Sequence, residues 1–276
     1  MRTLVKRPQG RKGKFLNNTL VKGLHLLEAL AEQSGPMGVS ELALKLGMGK
    51  SNVHRTLQAL VELGYVTNED GRGNYRASLK MWALGARVIA RLDVRQAALP
   101  AMHRLLEATR ETVHLSVLEG EQVMYIDKLD SPEPVRAYSE IGGRAPAYCV
   151  ATGKALLAWR ERPQPSLHAV ASNREAFTPA TIIDSADMTQ ELARIRTQGY
   201  AVNRGEWRAS VWGVAAPIMD GTGRVVAAIG VSGPATRIKP ASIKVLAKAV
   251  TDAAQSISST LAGHGGAAQG LAEGAA

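Results

Sequence analysis

Two short stretches of this chain carry residue types whose spacing suits chemistry. The first is Lys50-Ser51-Asn52-Val53-His54-Arg55. On a helix, Val53, Leu57, Leu60 and Val61 share an inward face, and Ser51 and Arg55 lie opposite it with Asn52 beside them. Arg pairs with guanine, Asn with adenine and Ser with either when such a helix lies in a major groove. Lys50 and the amides of the first helical turn suit a phosphate. His54 sits at the flank of the apolar face, about 75° from its centre by the 3.6-residue period, and reads equally as a structural residue or a contact. The second stretch is Val150-Ala151-Thr152-Gly153, which opens a helix whose first amides have no intrahelical partner and favour a carboxylate. By local sequence alone, Thr152 reads as a helix cap and Ser232 as the top of a strand.

Covalent and metal chemistry have weaker support. The single cysteine, Cys149, adjoins the second stretch, but no base or orienting partner is signalled beside it. It reads better as a buried residue than as a nucleophile. His103, His114 and His168 lack motif context, and no HxH or HxxxH spacing points to a metal. The Gly71-Arg72-Gly73 turn is no dinucleotide loop, because no βαβ unit follows it. Catalytic residues, metals and cofactors are therefore all expected to be none.

The elements that must position these residues are legible from periodicity. Leu20, Leu24, Leu27 and Ala31 mark a helix capped by Asn18 or Thr19 and stopped by Ser34-Gly35-Pro36. A short helix from Ser40 to Leu46, the Gly47-Met48-Gly49 turn and a helix from Lys50 to Leu63 follow. Gly64 stands at the expected αL cap. Tyr65–Thr67 and Asn74–Arg76 then form a hairpin whose tip offers Arg72 and Asn74 to a minor groove or a phosphate. Three helices and a hairpin in about 60 residues have the order of a winged helix-turn-helix. A helix over Ser78–Gln96, with Arg87, Arg91 and Arg95 on one face, reads as a linker, and Pro100 opens another helix to Thr109. Beyond it, strands at 112–118, 122–128, 135–139, 200–204, 211–219 and 225–232 alternate with helices at 151–159, 188–198 and 240–261. This predicts an α+β domain with a mostly antiparallel sheet flanked by helices.

The expected organisation is a basic disordered arm at 1–16, a winged helix at 17–78, a linker helix at 79–97, a second domain at 98–262 and a disordered tail at 263–276. Charge follows this division. The 276 residues carry a formal net charge of +10, with 45% hydrophobic and 4% aromatic residues. Residues 1–80 hold thirteen basic and six acidic side chains, against twenty-one and eighteen in the rest. A basic arm on a basic small domain points to a polyanion, most often nucleic acid. No apolar run reaches the roughly 18–20 residues of a membrane span, and no apolar stretch follows the basic N-terminus as in a secretory signal. One cysteine excludes an intramolecular disulfide framework. A cytoplasmic setting without membrane contact is expected.

The stretch VSELALKLGMGKSNVHRTLQALVELGYV resembles the DNA-binding signature of the IclR family of bacterial transcriptional regulators. GGRAPAYCVATGKALLAW, RIRTQGYAVNRGEW, VWGVAAPI and VAAIGVSGP resemble further blocks of that family, in order, and the resemblance covers residues 17–262. It implies a GAF-like effector-binding domain with a curved sheet, double-stranded DNA with a palindromic operator as partner, and a homodimer or homotetramer. It also implies an organic-acid effector, held by the amides of Ala151 and Thr152, with Gly153 beside them in the same first turn, and by positions matching Asn203, Gly213, Gly230 and Ser232. Here Asn203 replaces the acidic residue of members that bind very small acids, and the two glycines replace side chains that close the pocket. A larger effector follows, an aromatic or medium-sized carboxylic acid, with Trp207, Trp212 and Tyr148 near enough in sequence to line its cavity. Two other classes stay open from the residues: a hydrolase-like enzyme using Cys149, and a ligand sensor whose basic domain binds RNA or protein.

Overall fold

The computed structural model describes residues 17–69, 73–89, 93–160 and 174–273. The expected arm at 1–16, together with Arg72 and His168, lies outside the described residues. The chain divides into two compact units between Val88 and Ile89.

The first unit runs α1 (Asn18–Ala31), β1 (Met37–Gly38), α2 (Val39–Leu46), α3 (Lys50–Glu62), β2 (Val66–Glu69) and β3 (Asn74–Ala77). The strands pair antiparallel in the order β1-β3-β2, so the expected hairpin gains a short third strand. Its core is Leu26, Leu30, Leu42, Val53, Leu57, Val66 and Tyr75. Leu20 and Leu24 are exposed, as is Val61. The first helix is apolar around more than half its circumference, and the period alone selects the outer stripe as readily as the inner. Asn17, one residue before the expected cap, accepts from the amides of Thr19 and Leu20 at 3.0 and 3.3 Å. At α2 the cap position is Gly38, not Ser40, and no side chain bonds there.

Helix α4 (Leu79–Ile89) follows, and α5 (Asp93–Thr109) opens the second unit. The expected end of a linker helix at 97 and the fresh helix from Pro100 are corrected here: α5 runs through both positions, with Pro100 inside it. A proline within a helix costs about 3 kcal/mol or more. Val94, Ala98, Ala101, Met102 and Leu105 all bury against the sheet, which offsets that cost.

The second unit continues β4 (Thr112–Glu119), β5 (Gln122–Leu129), β6 (Arg144–Pro146), a single 3-10 turn (Ala147–Cys149) and α6 (Ala151–Ala158). After residues 161–173 come α7 (Ser185–Gln198), β7 (Ala201–Arg204), β8 (Val211–Met219), β9 (Val225–Pro234) and α8 (Ile243–Glu273). Six strands form one antiparallel sheet in the order β6-β5-β4-β9-β8-β7. The strand expected at 135–139 is instead irregular chain, preceded by Pro132 and Pro134, and β6 takes the edge. The last helix extends to Glu273, past the expected end near Leu261, through a stretch that holds no proline to stop it but four glycines.

Strand alternation assigns each face of the sheet its work. Val113 and Leu115 of β4, Val214 and Ala216 of β8, and Ile229 and Val231 of β9 pack with α5 and α8. Val123, Tyr125, Ala215 and Ala228 face the other way and pack with Ala151, Ala155 and Leu156 of α6. The α6 face carries the smaller side chains and leaves room for a cavity.

Candidate functional site

In the first unit, α3 brings together what its spacing predicts. Lys50, Ser51, Asn52 and Arg55 are all exposed, while Val53 and Leu57 anchor the opposite face. Arg55 Nη2 donates to Asn52 Oδ1 at 3.0 Å, so the two polar heads are held side by side with the other guanidinium donors free of that bond. His54 is exposed and does not belong to the core. Asn74 is exposed at the start of β3, opposite Glu69 of β2.

In the second unit, a cavity of about 580 Å³, counting its open mouth, lies on the α6 face. Of the expected residues, Ala151, Thr152, Asn203, Gly213, Gly230 and Ser232 line it. They come from α6 and three different strands, β7, β8 and β9. The α6 cap is Val150 in an extended conformation, and no side chain caps it among the described residues. Thr152 is therefore not the cap. The first amides of α6 open beside the cavity without a capping oxygen, a ready site for an anion.

Gly153 is not among the residues that line the cavity. A Cβ there would meet the carbonyl oxygen of Ala147 at 2.2 Å, so its glycine lets α6 pack on the preceding turn. Gly230 serves two purposes. It lines the cavity, and a Cβ on it would lie 2.7 Å from the Cβ of Ala215 on β8. Close strand approach, and not cavity volume alone, demands glycine there. Asn203 spends its amide on the following loop, accepting from the Glu206 amide at 2.8 Å. That loop carries Trp207 and Arg208 to the cavity, with the guanidinium 4.9 Å from the indole centroid. Trp207 meets the expectation for a wall residue. Trp212 packs on the opposite face of the sheet, and Tyr148 donates to the Glu175 carbonyl away from the cavity.

Sequence reasoning missed His114, Tyr125 and Ser139, which also line the cavity. His114 Nε2 lies 2.5 Å from Ser232 Oγ and Nδ1 lies 3.3 Å from Ser139 Oγ. The Tyr125 ring packs on the imidazole at a centroid distance of 5.0 Å. Burial, with Lys128 adding to it, holds the His114 pKa down at about 4, so the ring is neutral. The missed signal was the alternation of β4, which puts His114 on the face away from Val113 and Leu115.

Behind the cavity, Lys154 is fully buried and reaches Glu191, Glu206 and the Val202 carbonyl at 3.0, 2.7 and 2.7 Å. The ammonium ties α6 to α7 and to the loop that carries Trp207. Burial pushes the Glu206 carboxyl up despite this ammonium. Glu191 ends below the ordinary carboxylate range, because Lys154 and Arg194 outweigh its burial. Cys149 is also buried, and burial with the Glu206 charge raises its thiol to about 12. At neutral pH it is a thiol, not a nucleophile. Among the described residues no group of three His, Cys, Asp or Glu side chains is placed to hold a metal ion. No described helix is long and apolar enough to cross a membrane.

A winged helix with an exposed polar recognition face, in one chain with a sheet domain that holds a ligand cavity, defines a ligand-responsive DNA-binding regulator. Residues 86–259 match the bacterial transcriptional regulator IclR C-terminal domain, and residues 19–70 match the IclR helix-turn-helix domain. The chain is 33% identical to the transcriptional regulator KdgR of Escherichia coli K12, over 90% of this chain and 94% of that protein. It is 31% identical to XynR of the same organism, over 80% and 88%. The crystal structure of Thermotoga maritima IclR superposes with a TM-score of 0.74 at 30% identity, covering 89% of this chain and 99% of that one. An IclR homologue from Microbacterium hydrocarbonoxydans, complexed with 4-hydroxybenzoate, gives 0.77 at 26% identity, covering 88% and 98%. The chain belongs to the IclR family of bacterial transcriptional regulators. It is a transcriptional regulator with a helix-turn-helix DNA-binding domain and an effector-binding domain.

Proposed function

We propose that this regulator reads a palindromic operator as a homodimer or homotetramer and responds to a small carboxylate made or consumed by a catabolic pathway. Ser51, Asn52 and Arg55 contact bases, and Lys50, Arg72 and Asn74 contact the backbone or minor groove. The observation that carries the effector reading is the uncapped start of α6 opening into a cavity, with the Arg208 guanidinium also on its wall. Amide groups and a cation together favour one carboxylate. The rest of the wall, with Tyr125, Trp207 and Val211, suits an aromatic or medium-sized apolar body. The relative complexed with 4-hydroxybenzoate binds an acid of that class. Effector binding shifts the equilibrium between DNA-bound arrangements, which is allostery in the thermodynamic sense. The protein acts in the cytoplasm, where its DNA is, and is not an enzyme: the neutral Cys149 thiol offers no nucleophile to the hydrolase alternative.

The test is thermal denaturation of the full chain across carboxylic acids of two to eight carbons, followed by operator binding with and without the best stabiliser. Acids of four or more carbons should raise Tm in a concentration-dependent way. Stabilisation by two- and three-carbon acids alone would overturn the size assignment. Equal binding to RNA and to duplex DNA, with no palindrome preference, would favour the sensor of another polymer.

A further inference from the structure

Asn52 and Arg55 stand three positions apart on α3, so their side chains are neighbours on one exposed face. Helical side chains lean toward the N-terminus, which carries the Arg55 stem back over Asn52. There Arg55 Nη2 donates to Asn52 Oδ1 at 3.0 Å, and among the described residues this is the bond that holds the guanidinium. An exposed arginine samples many rotamers, and ordering it on a base costs that freedom. Asparagine is shorter, has fewer torsions and gives a stiffer point of attachment. The guanidinium has two forks for a bidentate contact, Nε with Nη2 and Nη1 with Nη2, and each Nη2 hydrogen serves one of them. The bond to Asn52 therefore leaves one fork whole.

We propose that Asn52 is a positioning residue for Arg55: it braces the guanidinium so that the free fork meets O6 and N7 of one guanine, and the specificity at that base belongs to the pair. The proposal rests on the reading of α3 as a major-groove helix and adds how its discrimination is divided between side chains. Guanine shows two acceptors side by side on its major-groove edge, which a fork of parallel donors matches. Adenine offers one acceptor beside a donor and cytosine a donor, so each leaves a guanidinium hydrogen without a partner. Without the brace the same arginine can swing to a phosphate, a contact that carries no sequence information. Asn52 thus determines specificity through Arg55, whatever its own amide hydrogens meet on the next base.

The experiment is selection of bound duplexes from a randomised library by the full chain, then fluorescence anisotropy on the selected duplex and its single-base variants at one salt concentration. Arg55→Ala identifies the position that Arg55 reads. In the wild type, guanine there should bind about tenfold or more tighter than adenine. Asn52→Ala should reduce this ratio to about threefold or less at the same position, and combining it with Arg55→Ala should reduce the ratio no further than Arg55→Ala alone. Asn52→Asp keeps the acceptor oxygen and should restore the ratio, while its charge weakens every duplex alike. Both side chains are exposed, so none of these substitutions should disturb the fold. A ratio that survives Asn52→Ala would overturn the proposal, as would a loss confined to another base position or one that Asn52→Asp does not repair. So would a base other than guanine at the Arg55 position, or an Arg55→Ala loss equal on all sequences. Each of these leaves the major-groove reading of α3 standing. Equal binding of every duplex by the wild type would overturn that reading, and this proposal with it.

Discussion

The two units build their sites by opposite means. On α3, Lys50, Ser51, Asn52 and Arg55 lie within six residues and stand in solvent, positioned by a helix that any amphipathic sequence of this pattern would form. In the cavity, His114 and Ser232 meet across 118 positions of sequence, and the imidazole is buried. The exposed site can change one side chain at little cost to its scaffold. The buried site is part of the scaffold, because its polar groups are also what the sheet and α6 must satisfy. Binding at the first should therefore be separable from folding, and at the second it should not.

The sharpest way to break that contrast is Lys154→Ala. Removing the ammonium leaves Glu191 and Glu206 buried together without their shared cation, which should cost about 3–5 kcal/mol of stability. Urea unfolding followed by a probe in the second unit checks it. A loss under about 1 kcal/mol would mean that water reaches this triad and the unit is less closed than its burial implies.

Acidification should give the next largest effect. The His114 pKa is about 4 in the folded chain against an ordinary 6.5. Between these values the unfolded chain binds more protons, so stability rises with pH across the window. The contribution is full above about pH 6.5 and is lost as pH falls toward 4, about 3 kcal/mol in all. Lys128 strengthens this depression and Asp130 opposes it. Stability curves of wild type and His114→Gln at pH 7 and pH 5 should converge in slope everywhere except in this window, where the variant is flatter.

Arg55→Ala should cost about 1–3 kcal/mol in operator binding and relax specificity at one base position, with stability unchanged. Fluorescence anisotropy on an operator and its single-base variants reads this directly. Uniform weakening on all sequences would make Arg55 a phosphate contact. The smallest effect belongs to Lys50→Ala, which should weaken binding on all sequences alike and lower the salt slope by about one. A sequence-dependent loss there would place Lys50 on a base edge.

Legibility followed the range of the contacts. Helices α2 and α3, the wing strands and the β8–β9 hairpin were read from periods and turn signals, because each is settled by neighbours in sequence. The helix break at Pro100 was misread because a local cost of the proline is outweighed by Val94, Ala98 and Met102 packing on a distant sheet. Lys154 gave no warning either. A lysine in an apolar helix ordinarily extends to solvent, and only α7 and the loop after β7 turn it inward. Gly153 and Gly230 were visible as glycines, but their reasons were not, since the colliding groups belong to Ala147 and Ala215.

By itself the sequence determined the helices and hairpin of the first unit, the polar face of α3 and the concentration of positive charge toward the N-terminal end. It also marked the α6 start as a candidate anion site, because orphan amides are a property of any helix terminus. Tertiary structure alone decided what else faces those amides. Antiparallel pairing of β4 with β9 sets His114 opposite Gly230 and brings Ser232 onto the same face. Register is fixed by which face of each strand is buried, and burial is a property of the whole sheet.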